Sequence, residues 1–167
     1  MPVRATRFKI SLPFGIGQIE FEGDEVQKRA AWSLYVELVT RIAIQPLGAE
    51  HGLLREALDS LYTLFARTRE ILQDAGPQVA VKGESSLGFI AIRVLNEGIR
   101  PFTAKWHPLL LAHEEQRPEG ISQYDHEQQW RQAGEMRTEL AELQENLEVY
   151  AEALAKIAGV KHAKVPR

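Results

Sequence analysis

The chain has 167 residues, 44% of them apolar and 26% charged, with a formal net charge of −3. That length suits one domain with a core of its own, the composition excludes global disorder, and the charge argues against a general nucleic-acid binder, which carries a basic excess. There is no cysteine, which removes disulfides, thiolate metal sites and a cysteine nucleophile together and fits a cytoplasmic protein.

The first predicted element is a β-hairpin over about 7–22. Phe8, Ile10 and Leu12 alternate with Lys9 and Ser11, and Ile19 and Phe21 alternate with Gln18, Glu20 and Glu22, around the turn residues Pro13-Phe14-Gly15-Ile16-Gly17. This alternation, in place of an apolar block, predicts no signal peptide. Lys9 can face Glu20 or Glu22 across the strands, and a lone hairpin, marginal in water, must rest on helices or join another sheet.

A first helix is expected over about 24–45, opened by Asp24 and Gln27 in a capping-box pattern. Val26, Ala30, Leu34, Leu38 and Ile42 form its apolar line, and Trp32, Tyr35, Val36 and Val39 broaden it enough to suggest a central helix. Pro46, Gly48 and Gly52 end it. A second helix over about 53–73 sets Leu54, Leu58, Leu61, Phe65 and Leu72 against Arg55, Asp59, Thr63, Arg67 and Glu70, and Asp74, Gly76 and Pro77 stop it. A third over about 87–107, led in by the capping serines Ser85 and Ser86, turns Ala91, Leu95, Ile99, Phe102 and Trp106 inward. Pro101 predicts a kink within it, and Pro108 closes it.

The fourth predicted helix, about 122–158, starts at the Ser122–Asp125 capping box and stops at Gly159, a left-handed cap followed by Val160. The basic tail 160–167 is expected to fray. Ala133, Met136, Leu140, Leu143, Leu147, Tyr150, Leu154 and Ile157 step by three and four, the 3.5-residue period of a helix packed lengthwise on others. A coiled-coil dimer places opposite charges beside such a seam. Here the flanks are Arg137, Glu139, Gln144, Asn146, Ala151, Ala153 and Ala158, so the seam reads as the chain's own core. An unbroken helix would reach about 55 Å, far longer than the others. It therefore bends at Gly134 or overhangs, and an overhang would offer Tyr124 and Trp130 to a partner. The expected fold is mainly α: an antiparallel four-helix bundle in a single domain, with an N-terminal two-stranded β-hairpin.

Polar residues collect on the third helix: Arg93, Asn96, Glu97, Arg100, Thr103, Lys105 and His107. Six residues separate Arg100 from His107, a spacing that resembles the Arg-then-His signature of the HEPN ribonucleases, helical bundles that usually dimerise. The resemblance implies that Arg100 and His107 act on a scissile phosphate in a metal-independent cleavage, as a toxin or defence effector would. An Arg can stabilise phosphate charge and a His can shuttle protons near neutrality. Pro101 departs from that signature, where a polar residue follows the Arg. A second cluster, His113-Glu114-Glu115 with Asp125-His126-Glu127, holds residue types able to ligate a metal, His113 and His126 foremost. Gly15 and Gly17 lie in a hairpin turn rather than before a helix, so they form no nucleotide loop, and no nucleophile elbow occurs.

These patterns predict a non-enzymatic protein-interaction or adaptor module, or a subunit of a larger bacterial assembly, without a cofactor. Arg93, Glu97, Arg100, Lys105, His107, Tyr124 and Trp130 are the candidate partner contacts, and the hairpin edges can accept a strand. The alternative is the ribonuclease reading.

Overall fold

The structure, a computed structural model, describes residues 6–41 and 51–163. Strands β1 (Thr6–Leu12) and β2 (Gly17–Gly23) pair antiparallel, with Phe8 opposite Phe21, Lys9 opposite Glu20 and Ile10 opposite Ile19. Among the described residues this sheet has two strands and rests on helices: Ile10, Leu12 and Phe21 are buried in the main core.

Helix α1 (Glu25–Val39) begins at Asp24, whose Oδ1 accepts the Gln27 amide at 2.8 Å. The Gln27 side chain, only 1% exposed, does more than complete a cap. Its Nε2 donates to the Glu22 carbonyl and to Asp24 Oδ2, while its Oε1 accepts the amide of Leu87. One buried amide thus ties β2, α1 and the start of the third helical segment together. Ala30, Ala31, Leu34, Tyr35 and Leu38 face the core. Val26, Trp32 and Val36 face outward, Trp32 with half its surface exposed, so α1 is a wall of the core and not its centre. The predicted end of this helix at 42–45, with Pro46 and Gly48, falls outside the described residues.

Helix α2 (Leu54–Ala75) buries Leu54, Leu58, Leu61 and Phe65. Gly76 ends it at a φ of 79°, where a side chain would be strained. Two short 3₁₀ turns, Pro77–Ala80 and Gly83–Ser85, lead to α3 (Leu87–Arg93). Ser86 turns its hydroxyl back to the Gly83 carbonyl, and Gln27 serves the first amide of α3 in its stead.

The predicted kink takes the form of a π-helical segment, Val94–Ile99, between α3 and α4 (Arg100–Glu114). Widening the helix by one residue at this point accommodates Pro101, which has no amide hydrogen to give. The segment also carries Gly98, and a Cβ there would collide with the ring of Phe14. Phe14 sits at the hairpin turn with φ 58° and donates its amide to Asn146 Oδ1 at 3.0 Å. Pro108 does not close the segment: it lies inside α4, which runs two turns further.

The expected long fourth helix is two helices. α5 (Gln123–Gln128) starts at Ser122, which accepts the Asp125 amide, and α6 (Ala133–Ala158) ends at Gly159 in the left-handed region, where Val160 donates back to Ala155. The break covers residues 129–132, just before Gly134, and Trp130 at its centre is 9% exposed. The seam residues Met136, Leu140, Leu143, Leu147, Tyr150, Leu154 and Ile157 are all buried in the chain's own core, where α6 packs mainly on α1. His162 clips the segment after α6 onto α1 and α6. Tyr35 Oη accepts the Ala163 amide at 2.8 Å and lies 3.2 Å from His162 Nδ1, while His162 Nε2 reaches Glu148 at 2.5 Å. Residues 164–167 of the predicted frayed tail lie outside the described ones. No described helix is long and apolar enough to cross a membrane.

Candidate functional site

Helices α2 and α4 run side by side in opposite directions, and of the polar residues on α4, Arg100, His107 and Glu114 meet α2. At one end, Arg55 forms a forked ion pair with Glu114 and places Nη1 3.3 Å from Nδ1 of His107, whose ring stands edge-on to Tyr62. An arginine can only donate, so His107 Nδ1 is the acceptor and its hydrogen resides on Nε2. The lone pair a general base would use is therefore committed to Arg55.

At the other end, the Arg100 guanidinium lies 4.9 Å from the centre of the Phe65 ring and is bonded to Asn96 Oδ1. Arg69, one turn past Phe65 on α2, reaches the same ring at 6.0 Å. Arg93 and Glu97 pair with each other along the helix. Lys105 is held by Glu135 and Glu139 of α6 and lies over Trp106, whose Nε1 donates to Glu139 at 2.7 Å. The bond from Lys105 holds the Glu139 carboxyl below its ordinary range. Arg100 and His107 thus share a side of α4 yet engage different parts of α2.

His113 and His126 do meet across the α4–α5 connection, as stacked rings 3.8 Å apart and 6° from parallel. Each Nε2 bonds to the other residue's carbonyl, at 2.7 and 2.6 Å. A carbonyl only accepts, so both rings carry their hydrogen on Nε2, and Trp130 covers the remaining face of His113. The neighbouring carboxylates serve other partners. Glu114 pairs with Arg55, Asp125 with Ser122, and Glu127 accepts the Leu54 amide at 2.8 Å, capping α2, which has no side-chain cap of its own. Burial raises the Glu127 carboxyl above its ordinary range, against the pull of the Leu54 and Arg55 amides. A cleft of about 200 Å³ remains between Leu110, His113, Arg117, Gln123 and His126. Among the described residues no three acidic or histidine side chains are arranged to hold a metal ion.

Of the two expected overhang residues, Trp130 is part of the core, edge-on to Trp106, and Tyr124 is half-buried on α5. The sequence did not single out Arg69, and it assigned Arg55 to solvent and Phe65 to the core. The four-residue step from Phe65 to Arg69 was the available signal for their contact. Comparison of the chain with protein-family models, curated proteins and solved structures finds no match.

Proposed function

We propose that the chain is a non-enzymatic protein-interaction module, an adaptor or subunit that docks through the outer face of α4. The observation that carries this reading is the chemistry of that face. Pro101, Ala104, Pro108, Leu111 and Ala112 recur at steps of three and four, or one, along α4, and every one is exposed, Leu111 at 42%. A helix side turned to water normally carries charge; here these five exposed positions carry none, and Lys105, the one charged exposed residue between them, is paired with Glu135 and Glu139. Pro108, inside α4, also has no amide hydrogen to give to the carbonyl of Ala104 one turn back. On α3, Phe89 and Ile92 are further exposed apolar residues. The committed lone pair of His107 supports binding over hydrolysis.

Two measurements test this. Leu111→Asp should leave the melting temperature unchanged while abolishing self-association in light scattering, or retention of the partner that the wild type retains from its host. A wild type that stays strictly monomeric and retains nothing would refute the reading. RNA cleavage should stay at background in the wild type and in His107→Ala alike; activity that vanishes in the variant would establish the ribonuclease instead.

A further inference from the structure

We propose that Arg69 and Arg100, gathered over the ring of Phe65, form a receptor for a single phosphoryl group carried by a phosphorylated segment of a protein partner. The two guanidiniums come from different helices, α2 and α4, and are both exposed. Their ring distances are 6.0 and 4.9 Å. The carboxylates nearest to them in sequence are spent elsewhere: Glu70 pairs with Arg67, and Glu97 with Arg93. Among the described residues neither Arg69 nor Arg100 has an ion-pair partner. The side chain that positions Arg100 is Asn96, a neutral amide where a carboxylate of the same shape would supply the missing charge.

Both guanidiniums lie over one ring, whose attraction neutralises neither charge. An anion that reaches both supplies the missing balance. The charge to be balanced is two, which a phosphoryl group nearly supplies at neutral pH and a single carboxylate does not. Guanidinium forks also match phosphate oxygens in pairs. The site is local and not a track. Arg55, Arg67 and Arg93 along the same side are already paired with Glu114, Glu37 and Glu97, and the chain is acidic overall, which disfavours a nucleic-acid backbone. That the phosphoryl group arrives on a protein rests on the interaction reading, since the uncharged face of α4 adjoins Arg100.

The test uses the full chain labelled with ¹⁵N. Four probes are titrated: inorganic phosphate, acetate, an alanine-glycine nonapeptide with one phosphoserine (beside its unphosphorylated twin), and a nine-nucleotide single-stranded RNA. Phosphate should move the Nε–H signals of Arg69 and Arg100 and leave those of Arg67 and Arg93 in place. The phosphopeptide should bind at least tenfold more tightly than its twin. Asn96→Asp, which builds a carboxylate against Arg100, should weaken phosphopeptide binding at least tenfold, as should Arg69→Gln and Arg100→Gln, all at unchanged melting temperature. Equal responses to acetate and phosphate, full binding by Asn96→Asp, or no response at these arginines would overturn the proposal. So would RNA binding tighter than the phosphopeptide with the same arginine dependence, which would make this a nucleic-acid site. Failure of the interaction reading alone would show in the Leu111→Asp comparison and leave the inorganic phosphate shifts in place.

Discussion

At Gly98 no side chain but hydrogen fits, because the ring of Phe14 occupies the space a Cβ would need. Alanine is the better helix former by about 1 kcal/mol, so propensity and packing make opposite predictions here. Packing should win. Gly98→Ala is expected to lower the unfolding free energy by about 1–3 kcal/mol, the range for overfilled sites, and Phe14→Leu in the same chain should recover part of that loss. Urea unfolding of the two single variants and the double variant checks this; a Gly98→Ala protein more stable than the wild type would contradict it. The sequence reveals the interruption, through Pro101, but not why a glycine stands beside it at position 98. The ring that demands the glycine belongs to a hairpin turn with no local link to α3 or α4. Gln27 shows the same limit: its place in a cap was legible, and its bond to Leu87 was not.

Elements here are joined at their ends by side chains borrowed from elsewhere, and Glu127 of α5 capping α2 is the clearest case. Burial holds its carboxyl above the ordinary value of 4.5, so the native state keeps that proton to higher pH than the unfolded chain does. Stability from this group is then lost as pH rises through that window. Glu139, lowered by Lys105, and Glu22, lowered by Lys82, act with the opposite sign, losing their contribution as pH falls. Glu127→Gln keeps an acceptor for the Leu54 amide and removes the titration. Whatever constant offset the new NH₂ adds, the melting temperature of the variant minus that of the wild type should rise as pH increases through and above the ordinary carboxylate value of 4.5, and a flat difference would count against the assignment. The long-range cap also explains why the α5–α6 break was hard to read. Residues 129–132 contain no proline or glycine. The chain turns there because Trp130 leaves the helix line to pack on Trp106 and His113, a tertiary contact that outweighs local helix preference.

Across the whole molecule, the three-four seam is where sequence and structure agree most closely, because a 3.5-residue period needs only that some apolar surface lie opposite. The flanking alanines, too small and too apolar for interhelical ion pairs, already pointed inward, and Ala151, Ala153 and Ala158 are buried. What periodicity could not supply was the identity of the opposing surface. α6 faces α1 and the hairpin, and Phe14 of the hairpin turn is bonded to Asn146 of α6. Hairpin and helices therefore share one core, with Ile10 and Phe21 buried beside the seam, and they should unfold as one unit. Leu147, fully buried at the middle of α6, tests both points. Leu147→Ala should lower the unfolding free energy by about 2–5 kcal/mol. If the seam is internal, that loss is the same at every protein concentration, whereas a seam shared between copies would make the loss shrink as the chain is concentrated. Fluorescence of the tryptophans and far-ultraviolet dichroism, followed together at concentrations a hundredfold apart, should give one midpoint for both signals and one shift for the variant. Separate midpoints would mean that the chain does not unfold as one unit.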